Sequence, residues 1–253
     1  ESITGQILEE GISEANSIAS WIASATSYSH AMTPTLPFYI FYSMFGFQRV
    51  NDQIWQAADA RARGFLMGAT AGRTTLNGEG LQHQDGHSLL HASTVPFCRS
   101  WDPAYAYELA TIIRHGINEM WGENQDVFHY IMLYNQNERQ PPKPEGIDDK
   151  IIKGAYRLSE SKSDNRPNVR ILGSGPILSH VIEASEKLVE LGINSEIWSV
   201  TSYGELRREG LESQRINRLY PEEEKIPYVS ECFGDEITTV AVSDYITAVP
   251  EMI

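Results

Sequence analysis

The sequence predicts an α/β protein of two doubly wound, mostly parallel-sheet domains. Short apolar runs rich in β-branched and aromatic residues alternate with segments of helical periodicity. A stretch rich in proline and charge, residues 138–168, separates two such series. The chain has 253 residues, 41% hydrophobic and 21% charged, which suffices for one large domain or two ordinary ones.

Each element has its own signal. Residues 7–25 carry apolar side chains at helical spacing, with Gly11 near the start. Residues 36–45 are apolar and aromatic and read as a buried strand, interrupted early by Pro37. Alanine-rich 49–62 reads as a helix and 64–68 as a short strand, followed by a glycine-rich loop over 72–86. Residues 94–97 are strand-like. Asp102-Pro103 is a helix start, with Asp as N-cap and Pro in the first turn, for a helix reaching about Trp121. Residues 127–133 form the next strand. Within the linker a short ordered stretch is expected near 151–158. Beyond it come a strand at 169–172, a helix at 177–191 ended by Gly192, a strand at 193–200, a helix at 203–211 and a strand at 237–242. The expected division is a first domain over 1–140, a linker over 141–168 and part of a second domain over 169–253. The chain does not begin with methionine and stops soon after a strand, so it is read as a piece of a longer protein.

Composition excludes some classes of function. A net charge of -14 repels nucleic acid phosphates and anionic lipid, so neither is expected as a main partner. No apolar run approaches the roughly 18 residues of a membrane helix. Cys98 and Cys232, far apart in sequence, make neither a disulfide framework nor a structural zinc site, and a reducing cytoplasm is expected.

Three segments could carry chemistry. Glu14 lies near the start of the first helix. It is either an exposed carboxylate favoured by the helix dipole or a group turned into a cleft to bond a ligand nitrogen. Residues 77–88, NGEGLQHQDGHS, combine three glycines, two histidines and two carboxylates: a permissive loop with groups for proton transfer, or simply a polar surface loop. His83, His87 and His91 are spaced by four, as on a metal-binding helix face, but Asp85-Gly86 is a turn signal that breaks such a helix. Gly173-Ser174-Gly175 reads as a tight strand-to-helix turn and only weakly as a phosphate loop. Cys98 is expected to be buried and inert. The run 38–42, FYIFY, is expected in the core, with an end residue free to line a pocket.

ILEEGISEA, ATSYS, PFYIFYSMFGFQRVND, GATAGRTTLNGEGLQHQDGHS and DPAYAYE resemble the middle, or Pyr, domain of the homodimeric pyruvate dehydrogenase E1 family of transketolase-like thiamine diphosphate enzymes. KGAYRL, LGSGPIL and VTSYGELRREG extend the resemblance into that family's C-terminal domain. It implies decarboxylation of pyruvate with acetyl transfer to the lipoamide of the E2 acyltransferase. It also implies a homodimer in which the PP domain of the other subunit holds Mg2+ and the cofactor's diphosphate. Gly11-Ile12-Ser13-Glu14 resembles the family's catalytic glutamate element. Glu14 would bond N1′ of the aminopyrimidine, favour its imino form and be buried. Ile12 would press against the cofactor, Phe45 would pack on the aminopyrimidine and Tyr42 would line the pocket. His83 would handle a proton during acetyl transfer, supported by Glu79. Gln84 stands where relatives often carry Glu. The magnesium motif Gly-Asp-Gly is absent, Gly234-Asp235-Glu236 being the nearest string, so no metal ligand is expected in this chain and turnover by the chain alone is not. Two other readings stay open: the same chemistry on another 2-oxo acid or a ketose, and a non-catalytic scaffold or assembly fragment that keeps the fold.

Overall fold

The computed structural model describes residues 3–161, 166 and 168–253; residues 162–165 and 167 of the expected linker lie outside the described residues. Helix α1 spans Glu14–Ala25, not 7–25. Gly11 adopts φ +68°, a turn conformation that a helix cannot pass through, and Ser13 then caps α1 by accepting the Asn16 N–H at 3.4 Å. A helical turn, α2 (Ser27–His30), leads to strand β1 (Phe38–Phe41) and helix α3 (Ser43–Asp59). The strand expected over 36–45 is therefore cut to its middle, and the helix expected from Arg49 starts at Ser43. Gly46 makes this possible, because a Cβ there would lie 1.9 Å from the Phe41 ring, so only glycine lets α3 rest on the end of β1.

Strand β2 (Phe65–Ala69) follows, then the glycine-rich loop, α4 (Ser88–Ser93), β3 (Cys98–Trp101), α5 (Ala106–Ile117) and β4 (Phe128–Leu133). Two expected elements are absent from this stretch of the fold. Residues 94–97 are not a strand: α4 takes Ser88–Ser93, Pro96 has no N–H for a ladder, and β3 begins at Cys98. Asp102 does not cap a helix. It ends β3, its side chain accepts the Tyr134 hydroxyl, and α5 begins at Ala106. Glu108 instead reaches back to the N–H groups of Ala104 (2.5 Å) and Tyr105 (3.1 Å).

The strands pair in parallel in the order β1-β2-β4-β3. Period-two alternation sorts the core. Leu66, Phe128, Tyr130 and Met132 face Ile18, Trp21, Phe47 and Ile54 of α1 and α3, while Phe65, Met67, Trp101 and Ile131 face Ile112 and Met120. Each such side chain contributes about 1.5–3 kcal/mol on burial. Cys98 is buried, as expected, and burial pushes its thiol pKa up.

The second sheet has the order β5-β7-β6-β8, with β5 (Ala155–Ser159), β6 (Asn168–Gly173), β7 (Asn194–Val200) and β8 (Thr238–Val242). Its strands run parallel except β5, which pairs antiparallel with β7. Its helices are α6 (Asp148–Lys153), α7 (Ile177–Glu190), α8 (Tyr203–Leu219) and α9 (Tyr228–Phe233). Part of the expected linker thus builds α6, which packs on α5, and β5, a sheet strand. Helix α8 runs past the expected Leu211 to Leu219.

A polar seam joins the two units. Glu108 is fully buried and accepts hydrogen bonds from Tyr156 of β5 and Ser199 of β7, both at 2.7 Å. Arg208 of α8 donates to the carbonyls of Pro96 (2.7 Å) and Cys98 (2.9 Å). The apolar core is continuous across the seam: Ala155, Leu172, Trp198 and Val200 belong to the cluster that holds Tyr130.

Candidate active site

In parallel α/β sheets ligands bind outside the carboxyl ends of the strands. Here β1 ends at Tyr42, which begins α3, and β2 ends at the 72–86 loop. Residues from three separate segments meet at that edge. The Tyr42 and Phe45 ring centroids are 5.9 Å apart, and His83 lies 5.3 Å from Tyr42 and 5.4 Å from Phe45. The Arg49 guanidinium lies 4.1 Å over the Phe45 ring and donates to Glu14 Oε1 at 2.7 Å. Arg49 therefore links the expected carboxylate to the expected aromatic wall. It was missed in the sequence, although its position one helical turn after Phe45 places it on the same face.

Glu14 is partly shielded, its side chain 19% exposed, rather than fully buried. Its second oxygen accepts no hydrogen bond among the described residues. Ile12 is fully exposed, and Ile7, Leu8 and Leu81 are also exposed, so the site is an open face with an apolar rim. Glu79 meets His83 through its backbone: the Glu79 carbonyl lies 3.1 Å from His83 Nδ1, while its side chain is at the surface. A carbonyl only accepts, so Nδ1 carries the proton of the neutral ring and Nε2 is left as a proton acceptor.

Other groups of the loop are structural. Asp85, fully buried, accepts the N–H groups of His87 (3.0 Å) and Ser88 (2.9 Å) and the Ser88 hydroxyl, and so starts α4. Ser88 in turn accepts the Tyr130 hydroxyl at 3.0 Å. His87 and His91 face each other with centroids 5.2 Å apart, whereas His83 sits on a separate 3-10 turn against Tyr42. Desolvation and the neighbouring His87 lower the His91 pKa. Among the described residues no three His, Cys, Asp or Glu side chains converge as metal ligands. Gly175 adopts φ +50°, and a Cβ there would meet Asp102 and Tyr134, so the glycine motif serves the seam.

The carboxyl ends of β3 and β4 behave differently. Burial raises the Asp102 pKa to about 7, against the hydrogen bond from Tyr134. On the α5 face of the sheet, toward the start of β4, Trp101 Nε1 donates to His129 Nδ1 at 3.0 Å, which leaves His129 Nε2 as the donor facing Glu119 Oε2 at 3.1 Å. Burial opposes ionisation of Glu119, but His129 and Arg99 outweigh it and hold the carboxyl down at about 2.

Residues 1–141 match the family described as the pyruvate dehydrogenase E1 component middle domain, and residues 154–253 match the transketolase-like C-terminal domain. Over 256 aligned residues the chain is 55% identical to the pyruvate dehydrogenase E1 component of Pseudomonas aeruginosa and 49% identical to that of Escherichia coli K12. Each alignment covers all of this chain and 29% of the relative. The fold is similar to transketolase from Leishmania mexicana, with a TM-score of 0.69 and 15% identity, over 95% of this chain and 31% of that one.

Proposed function

The chain belongs to the pyruvate dehydrogenase E1 component family, and on that premise we propose that it carries the aminopyrimidine half of a thiamine diphosphate site for decarboxylation of pyruvate and acetyl transfer to the lipoamide of E2. The observation that carries the reading is the convergence of Glu14, Phe45, Tyr42 and His83 from three segments on one sheet edge. The residues fit the ring they would hold. A partly shielded carboxyl with one free oxygen lies beside an aromatic wall, which suits a flat heterocycle with a polar nitrogen.

When bound, thiamine diphosphate supplies the electron sink for the bond broken in the 2-oxo acid. Glu14 holds a proton at the ring nitrogen it bonds and thereby sets the ring's tautomer. Phe45 supplies a stacking face, Ile12 an aliphatic wall, and Tyr42 closes the pocket beside His83. His83 Nε2 is the atom that takes up or returns a proton during acetyl transfer. Glu79 fixes the ring's tautomer through its carbonyl. The exposed apolar rim of Ile7, Leu8, Ile12 and Leu81 supports docking of a PP domain from the second subunit of a homodimer, where the Mg2+ ligands would lie. The domain division proposed is a Pyr domain over 1–140 and part of a transketolase C-terminal domain over 169–253, to whose sheet β5 from the 141–168 segment adds a strand, in a cytoplasmic enzyme.

Substrate choice is tested by comparing pyruvate, a longer 2-oxo acid and a ketose phosphate on the full-length protein with Mg2+ and thiamine diphosphate. Pyruvate should have the highest kcat/KM; a ketose preference would sink the pyruvate assignment. The 253-residue chain by itself should show no turnover, and measurable decarboxylation by it would overturn the half-site reading.

A further inference from the structure

We propose that Asp244, in the segment leaving the second sheet, is a positioning residue for the loop that carries Glu79 and His83. Both stems of that loop are held by residues 244–246. The Asp244 carboxylate accepts the Arg73 N–H at 2.7 Å, the Thr74 N–H at 3.0 Å and the Thr74 hydroxyl. Ile246 donates its N–H to the Gly86 carbonyl at 2.9 Å. The stems also join each other, Asp85 N–H to Gly72 O at 3.1 Å. Asp244 is buried, and Tyr245 between the two grips is buried in the cluster that holds Tyr130.

The geometry is specific to this loop. Gly72 adopts φ +75°, and a Cβ there would sit 2.5 Å from Asp244 Oδ2, so the turn at the first stem and the carboxylate fit each other. At the apex Gly78 and Glu79 are exposed and Gly80 is half-buried, and between the stems Leu76 is the buried anchor. The position of His83 against Tyr42 and Phe45 therefore depends on where the stems are fixed. Glu14 is independent of this grip, because α1 carries it. The second unit thus sets one part of the candidate site and leaves the other untouched.

The proposal rests on the reading in which His83 serves acetyl transfer, and the test separates the two. In the full-length protein, Asp244→Ala should lower acetyl transfer to lipoamide on the order of 10²-fold, as expected for a catalytic group displaced by about 1 Å. Pyruvate oxidation coupled to an artificial electron acceptor should fall far less. Backbone amides of 73–86 should exchange hydrogen faster, with those of β2 and β4 unchanged. Asp244→Asn, which keeps one acceptor oxygen, should fall between wild type and Asp244→Ala. Unchanged exchange in 73–86, or equal loss of both activities with a protected loop, would overturn the proposal. If Asp244→Ala does not fold, Thr74→Val removes the hydroxyl bond alone and should give the same pattern at smaller size; wild-type exchange and wild-type transfer there count against the grip. His83→Ala in the same assays tests the underlying reading: intact acetyl transfer would remove His83 from the chemistry, while the exchange data still decide the grip.

Discussion

The carboxyl edge of the first sheet has two halves that treat polar groups in opposite ways. At the ends of β1 and β2, Tyr42, Phe45, His83 and Glu14 form an open face with an apolar rim. At the ends of β3 and β4, Asp102 is sealed beneath the second unit with Tyr134 half-buried beside it, and Glu108 at the start of α5 is taken up by four donors. The same parallel sheet supplies both. An open carboxylate is available to a ligand, whereas a sealed one such as Glu108 is occupied by protein donors and carries stability. Acidic residues around one sheet edge therefore differ in role by what covers them.

Breaking the open half should cost chemistry and little stability. Glu14→Gln in the full-length protein should lower kcat on the order of 10²–10⁴-fold, the range for loss of a positioned proton-handling group. Its ion pair with Arg49 is at the surface and worth about 0–1 kcal/mol, so Tm should barely move. A large fall in Tm with kcat retained would reverse the assignment of the two halves.

Breaking the sealed half should do the converse. Glu108→Ala leaves Tyr156, Ser199 and two backbone N–H groups without their buried acceptor. It should destabilise by at least the roughly 1–3 kcal/mol of one buried donor left unpaired, measured in denaturant unfolding. A change under about 1 kcal/mol would mean that the seam is not held by this carboxylate.

A smaller effect sharpens the contrast through pH. The Asp102 pKa is raised in the fold, to about 7 from an ordinary 3.8, chiefly by burial. The folded state therefore binds this proton more tightly than the unfolded chain. Its contribution is fully favourable below about pH 4, is lost as pH rises toward 7, and then levels off. Asp102→Asn, which cannot ionise, should flatten the fall in Tm between pH 5 and 8; an unchanged slope would show that Asp102 does not titrate there.

Much of this was legible in order along the chain. The apolar runs of β2 and β4 gave their positions to within a residue or two, because strands buried on both faces read as continuous apolar stretches, and β6, β7 and the exposed edge strand β8 were placed as closely by their β-branched residues. The Pyr-type motifs named Glu14, Tyr42, Phe45 and His83 before any geometry was known. Arg49 was not read, since a charged residue on a helix looks like a solvated one until its partners are in place. Asp102-Pro103 misled because its local pattern is that of a helix cap, yet Tyr134, brought close by the fold, took the carboxylate. The ordered stretch expected near 151–158 overlaps most of β5, but its pairing with β7 is encoded by no local signal.

By itself, then, the sequence determined the alternation of strands and helices, the acidic charge and the identity of the candidate site residues, since period, composition and motif are properties of neighbours along the chain. Only the tertiary structure decided which carboxylates stay open and which are sealed, and that Asp244 grips a loop 170 positions earlier at Thr74. Burial and hydrogen-bond partnership arise from contacts between distant segments, and those exist only once the two sheets have packed.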